Sequence, residues 1–150
     1  MNRLMVLAAI ALMAAPAPSL FAQEGLPPGS RSLSKIIQIL EQKKIQPVSI
    51  VLDQRQWKVE GIGKKESVRL RVDPRSGRII SQETIPELDP IKASLPLSRI
   101  VHKLEEARPG PIFRVHYGKK SWIIETRSGK TTTQIELSSD SGELLNGRDG

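Results

Sequence analysis

Two stretches of the chain place apolar residues at the three- and four-residue spacing that marks one face of a helix. The stripes consist of Leu33, Ile36, Ile37 and Leu40, and of Leu97, Ile100, Val101 and Leu104. Ser30 or Ser32 offers a hydroxyl to cap the first helix, and Pro96 suits the first turn of the second. Pro109 and Gly110 end the second helix. The pattern therefore predicts two amphipathic helices.

Alternating apolar and polar positions follow each predicted helix, as in half-buried strands. In the clearest case Val68, Leu70 and Val72 alternate with Arg69 and Arg71. Strands are expected at 48–52, 57–62, 68–72 and 78–80, and again at about 112–117, 121–126, 132–137 and 143–145. A helix followed by an antiparallel meander predicts an α+β fold in which the helix covers one face of the sheet.

The two halves also match each other in sequence. Residues 33–37 (LSKII) correspond to 97–101 (LSRIV), and further on Trp57 corresponds to Trp122 and Ser76-Gly77 to Ser141-Gly142. We interpret this as two tandem α-β-β-β-β repeats, residues 32–81 and 95–146, joined by a linker over 82–94. Flexible segments are expected at 23–31 and 147–150. One copy of about fifty residues buries little apolar surface, so docking of the copies, for example through one shared sheet, would stabilise both.

The first 22 residues have the features of a secretory signal peptide. Arg3 precedes an apolar run from Leu4 to Ala15, and Leu20-Phe21-Ala22 resembles a cleavage site. The run of about a dozen residues is shorter than the roughly 18–20 that span a bilayer, which disfavours the alternative of an uncleaved anchor. The expected product is a periplasmic or secreted protein without a membrane span after processing.

Composition narrows the chemistry further. The 150 residues contain no Cys, which excludes disulfides, thiol catalysis, thiolate metal sites and lipid attachment at cysteine. The formal net charge of +7 favours acidic partners in general. Nucleic acid is not expected as a partner, because the predicted export separates the two and the chain has few aromatic residues for base stacking.

The helix–strand–strand–strand unit resembles the PepSY domain family. The likeness rests on residues 33–40, on Trp57-Lys58-Val59-Glu60, and on residues 68–80, where a strand runs into the turn Asp73-Pro74-Arg75-Ser76-Gly77. The second half is similar over 97–145 but has Ser138 where the family usually has Asp. The resemblance implies a non-catalytic exported domain, with inhibition of a peptidase or control of another envelope protein as its role. The pairing of units also resembles the tandem architecture of a β-lactamase inhibitor protein.

Candidate catalytic residues have simpler structural interpretations. His102 and His116 lack partners at metal-ligand spacing, so a structural or solvent-exposed position is expected for each, and no metal or cofactor is predicted. The matched Glu60 and Glu125 are expected to be polar residues of alternating strands rather than an acid/base pair. Trp57 and Trp122 are expected in the core, because large aromatic side chains dominate small cores.

One candidate binding surface remains. Alternation places Lys58, Arg69 and Arg71 on the sheet face opposite Trp57 and Val68, where the second copy has Ile123, Gln134 and Glu136. The prediction is a non-enzymatic protein-binding module for a peptidase, a sensor ectodomain or another envelope protein. The alternative is binding of an anionic envelope component, a lipid headgroup or polysaccharide, through this basic face.

Overall fold

The computed structural model describes residues 25–149, in which two helices each precede four strands. The helices are α1 (Leu33–Gln42) and α2 (Leu97–Glu106). The first four strands are β1 (Gln46–Asp53), β2 (Gln56–Ile62), β3 (Ser67–Val72) and β4 (Ile79–Ile85). The other four are β5 (Ile112–Tyr117), β6 (Ser121–Ser128), β7 (Thr131–Ser138) and β8 (Leu144–Asp149). The predicted signal peptide lies outside the described residues.

The eight strands form one antiparallel sheet in the order β4-β3-β2-β1-β5-β6-β7-β8. Its centre is the pairing of β1 with β5, where Ser49, Ile50 and Val51 lie opposite His116, Val115 and Arg114. Every other neighbouring pair follows directly in sequence and is joined by a hairpin or a turn. The predicted α+β class is confirmed.

Both helices lie on one face of the sheet and bury their apolar stripes there. Ile37, Leu40, Leu97 and Val101 are completely buried among the inward side chains of the strands. Trp57 and Trp122 are also fully buried, as predicted for core residues. Tyr117 packs edge-on against Trp122 with ring centroids 5.1 Å apart. The core therefore lies between the helix pair and the inner face of the sheet.

The helix N-termini are capped from the partner helix, which corrects the expectation that Ser30 or Ser32 would cap α1. Ser32 is the N-cap residue but makes no side-chain capping bond, and the Ser30 hydroxyl donates to the Pro27 carbonyl at 2.6 Å. Instead, the Glu105 carboxylate near the end of α2 accepts hydrogen bonds from the Ser34 hydroxyl at 2.5 Å and from the Ser34 backbone N–H at 3.2 Å.

The same arrangement recurs at the other end of the helix pair. The Glu41 carboxylate accepts hydrogen bonds from the Ser98 hydroxyl at 2.5 Å and from the Ser98 N–H at 3.2 Å. Each helix therefore ends beside the start of the other, so the two run antiparallel. A carboxylate at a helix N-terminus satisfies free N–H groups and complements the helix dipole. These two contacts tie the first half of the chain to the second.

The turns after β3 and β7 are built alike although their first residues differ. The Asp73 carboxylate accepts hydrogen bonds from the Arg75 N–H and the Ser76 hydroxyl, both at 3.0 Å. These bonds, led by the one from Arg75, lower the pKa of Asp73 below its ordinary value. In the second turn the Ser138 hydroxyl accepts from the N–H groups of the two residues at 140 and 141. Ser138 thus takes the role of hydrogen-bond acceptor that Asp73 has in the first turn, and the second turn needs no ionised carboxylate for it.

The structure extends the last strand of each half beyond its predicted limits. β4 runs to Ile85 rather than ending near position 80, so the connection to α2 begins at 86. β8 runs to Asp149, into the range expected to be a flexible tail. Within the segment expected to be flexible before α1, Leu26 packs against the core and the Arg31 N–H donates to the Pro74 carbonyl at 2.9 Å. The other predicted strand positions agree to within two residues.

Candidate binding surface

The face of the sheet opposite the helices carries no covering element within residues 25–149. We call it the open face. Side chains on it are half-buried by their neighbours: Ser49 and Val51 on β1, Lys58 and Glu60 on β2, and His116 on β5. It mixes charged, polar and aliphatic groups, whereas the inner face is almost entirely apolar. An antiparallel sheet with one buried face leaves the other available in this way.

The three predicted site residues lie together on this face. Lys58 and Arg71 are opposite each other on β2 and β3, and Arg69 is opposite Glu60 one pair further along. The Arg69 guanidinium donates to Glu60 through Nε at 3.0 Å and Nη2 at 2.8 Å, and to Glu83 of β4 through Nη1 at 2.9 Å. The hydrogen bonds to Glu60 and then to Glu83 raise the pKa of Arg69 above its ordinary value, so the guanidinium stays protonated.

Arg71 is also engaged by a carboxylate. Its Nη2 lies 2.9 Å from Oδ2 of Asp53 at the end of β1. Lys58 makes no ion pair within the described chain. The basic patch expected from the sequence is therefore interleaved with acidic groups: Glu60, Glu83 and Asp53 equal Lys58, Arg69 and Arg71 in number and so match their formal charge.

The second half contributes a less charged continuation of the open face. Ile123, Gln134 and Glu136 lie in register across β6 and β7, as predicted, and Glu136 accepts a hydrogen bond from the Ser121 hydroxyl at 2.6 Å. On β5, Arg114 lies opposite Glu125 of β6. The open face therefore runs from a salt-bridged half on β2–β4 to a half with fewer ion pairs on β5–β7.

The two histidines lie in different settings. His102 is exposed on α2, with Nε2 3.2 Å from Glu106 and Nδ1 3.9 Å from Glu105. His116 is half-buried at the central strand pairing, and its Nδ1 has no hydrogen-bond partner. Burial lowers the pKa of His116, the nearby Arg114 charge lowers it further, and Glu125 opposes the shift. No group of three metal-ligating side chains occurs in residues 25–149.

Two features of the open face were not predicted from the sequence: the carboxylates that pair with Arg69 and Arg71, and the residues of β5 at the centre of the face. Asp53 and Glu83 lie on strands that flank the predicted pair, and only the strand register brings them within reach of the arginines. Arg114 and His116 enter the open face because β5 pairs with β1. The sequence showed that β5 alternates between two faces, but it did not show that β5 pairs with β1.

Comparison with known proteins gives a fold relationship. No protein-family model matches the sequence, and no curated protein matches it. A solved structure, that of a "putative lipoprotein" from Clostridium difficile 630, superimposes with a TM-score of 0.50 over 85% of this chain and 99% of that one. The two sequences are 14% identical. At that identity the likeness shows a shared fold alone. Neither helix described by the structure has the length and apolar character that crossing a bilayer requires.

Proposed function

We propose that this protein is an exported, non-catalytic binding module made of two PepSY-like repeats, and that its open face docks onto another envelope protein. A peptidase or the ectodomain of a sensor is the expected class of partner. The observation that carries the proposal is the open face itself: the seven neighbouring strands from β4 to β7 present polar, charged and aliphatic side chains that no element of residues 25–149 covers.

The repeat interpretation is supported by the way the halves correspond. Each contributes a helix and four strands in the same order. Ser34 and Ser98 occupy equivalent positions, and so do Glu41 and Glu105, yet each serine binds the glutamate of the other half. The two tryptophans are equivalent, fully buried core residues. Duplication of one unit followed by docking about a local two-fold axis accounts for these features together.

A non-catalytic role is supported by what the matched carboxylates do. Glu60 accepts a two-pronged hydrogen bond from Arg69, and Glu125 lies opposite Arg114. The turn serines use their hydroxyls within their own turns: Ser76 donates to the Asp73 carboxylate at 3.0 Å, and Ser141 accepts from the Glu143 N–H at 3.2 Å. These groups serve the fold.

The open face fits a protein better than a linear polyanion. Half-buried aliphatic side chains, Val51 and Ile123, lie among paired charges, an arrangement typical of protein interfaces with an apolar centre and a polar rim. Because Arg69 and Arg71 already bind carboxylates, an anionic headgroup or polysaccharide would have to compete with Glu60, Glu83 and Asp53. The alternative of anion binding at this face is therefore the weaker one.

Affinity capture followed by titration tests the proposal. Mature protein should recover a partner from a periplasmic extract, and the purified partner should bind with saturation. Ile123→Asp on the open face should weaken that binding by about tenfold or more, since a charge in an interface centre is costly. Gln38→Asp, on the exposed side of α1, is the matched control and should leave binding unchanged. Equal effects of the two changes, or no saturable partner, would contradict the proposal.

A further inference from the structure

The chain contains three Lys-Lys doublets, and the fold brings all three to one end of the sheet. Lys43-Lys44 stands just before β1, Lys64-Lys65 lies in the hairpin after β2, and Lys119-Lys120 lies in the hairpin after β5. The sequence gives no hint of this, since the doublets are separated by about twenty and fifty residues. We call these six residues the lysine edge.

Strand register makes the lysine edge a continuous row. Gln46 at the start of β1 pairs with Ile62 at the end of β2. On its other side β1 pairs with β5, whose last residues lie beside the start of β1. The three doublets therefore follow the same end of three adjacent strands, which are spaced about 5 Å apart in a sheet.

The lysines of this row are available to bind an external anionic group. All six are exposed, and none forms an ion pair within the described chain. Carboxylates also lie at this end: Glu66 and Glu87 line one pocket with Lys64 and Lys65, and Asp140 and Glu143 lie in the turn before β8. Asp140 is engaged by the N–H and hydroxyl of Ser94, at 3.2 and 2.8 Å. The six lysines therefore outnumber these carboxylates, whereas on the open face the cations of β2 and β3 are matched by carboxylates.

Exposed leucines stand at the same end. Leu144 and Leu145 at the start of β8 are 66% and 58% exposed, the two highest values among the large apolar side chains of the described chain. The loop before them is bound to the lysine edge, because the Ser139 hydroxyl donates to the Lys120 carbonyl at 2.9 Å. Cationic and apolar groups therefore face outwards together.

We propose that the lysine edge, with Leu144 and Leu145, docks the protein onto the surface of a bilayer that contains anionic lipids. Lysine is a mobile point charge without the planar fork of arginine, which suits a diffuse layer of headgroups rather than one bidentate ligand. Exposed leucines beside the lysines can enter the boundary between headgroups and acyl chains. A soluble polyanion would gain nothing from them. This surface is distinct from the open face and does not rest on the proposed function.

Vesicle flotation with purified mature protein tests the proposal. Vesicles of phosphatidylcholine with about one third phosphatidylglycerol should bind the protein, and pure phosphatidylcholine vesicles should bind it far less. Each lysine near such a surface contributes about fivefold, so Lys64→Gln with Lys65→Gln should weaken binding on the order of twentyfold. Lys119→Gln with Lys120→Gln should do the same. The matched control, Arg75→Gln with Arg78→Gln, removes the same charge from exposed positions at the opposite end of the sheet and should change binding little.

A second pair of changes distinguishes a bilayer from a polyanion. Leu144→Ser with Leu145→Ser should abolish the binding that persists at about 0.5 M salt, where charge attraction is largely screened. The proposal is overturned if the arginine control weakens binding as much as the lysine changes, or if anionic vesicles bind no better than neutral ones. It is also overturned if dextran sulfate competes fully while the leucine changes have no effect, since the ligand would then be a soluble polyanion. Urea unfolding midpoints of all variants verify that each is folded.

Discussion

The reciprocal capping of the two helices gives the sharpest quantitative prediction. Glu105→Ala removes a carboxylate that receives the hydroxyl and backbone N–H of Ser34 across the helix pair. Hydrogen bonds to charged groups contribute about 1.5–3 kcal/mol when their partner is buried. Ser34 is 7% exposed, whereas the Glu105 side chain is 24% exposed, which reduces the loss. We therefore expect Glu105→Ala to lower the free energy of unfolding by about 2 kcal/mol.

Chemical denaturation with urea measures this directly. The midpoint should fall with an unchanged slope, as for a loss of native-state contacts. Glu106→Ala is the matched control: this neighbouring glutamate is 69% exposed, and its one ion pair within residues 25–149 is with the exposed His102, so its loss should cost under about 0.5 kcal/mol. The equivalent change Glu41→Ala should behave like Glu105→Ala, and the double variant should lose about 4 kcal/mol, because the two caps share no partner. If Glu105→Ala is no more destabilising than Glu106→Ala, the capping role is refuted.

Three further changes test particular contacts. Gly61→Ala should lower the free energy of unfolding in urea by about 1–3 kcal/mol, because the added Cβ would lie 2.7 Å from the Gln46 carbonyl oxygen. The control Gly118→Ala, whose added Cβ meets nothing closer than 3.4 Å, should cost clearly less. Equal losses for the two variants would contradict the close approach at Gly61. Asp73 has a lowered pKa, so its stabilising contribution is complete above the ordinary aspartate pKa and is lost as pH falls through the folded value. Unfolding measured from neutral to acid pH should therefore show a smaller acid loss for Asp73→Asn, and identical curves would refute the turn bonds. His116 also has a lowered pKa, so the unfolded chain takes up the proton first and stability should fall as pH drops below about 6.5. In His116→Gln the free energy of unfolding should fall less between about pH 7.5 and 5.5 than in the unchanged protein. An equally steep fall in both proteins would be evidence against the lowered pKa of His116.

Hydrophobic periodicity located the elements that bury apolar residues. Both helix stripes and the strands containing Trp57 or Val68 were found because burial repeats along the sequence with the period of the element. β4 was underestimated because Gln82, Glu83 and Thr84 are polar and exposed. Its extended conformation comes from pairing with β3, and an edge strand with polar residues carries no alternation to read.

Contacts between distant parts of the chain were not predictable. The Ser34–Glu105 contact spans 71 residues, and nothing local indicates which side chain caps α1. Likewise, the basic face was inferred from Lys58, Arg69 and Arg71 alone, while the neutralising Asp53 and Glu83 come from the flanking strands β1 and β4. Strand order determines the charge of a sheet face, and strand order is a property of the folded chain.

Photocrosslinking in intact cells tests the central claim that the open face is the docking surface for a protein. A photoreactive amino acid at Lys58 and, separately, at Ile123 should give the same crosslinked product with one envelope protein. The same residue at Gln38, on the helix side, should give none. Crosslinking of that protein from Gln38 but from neither open-face position would contradict the account.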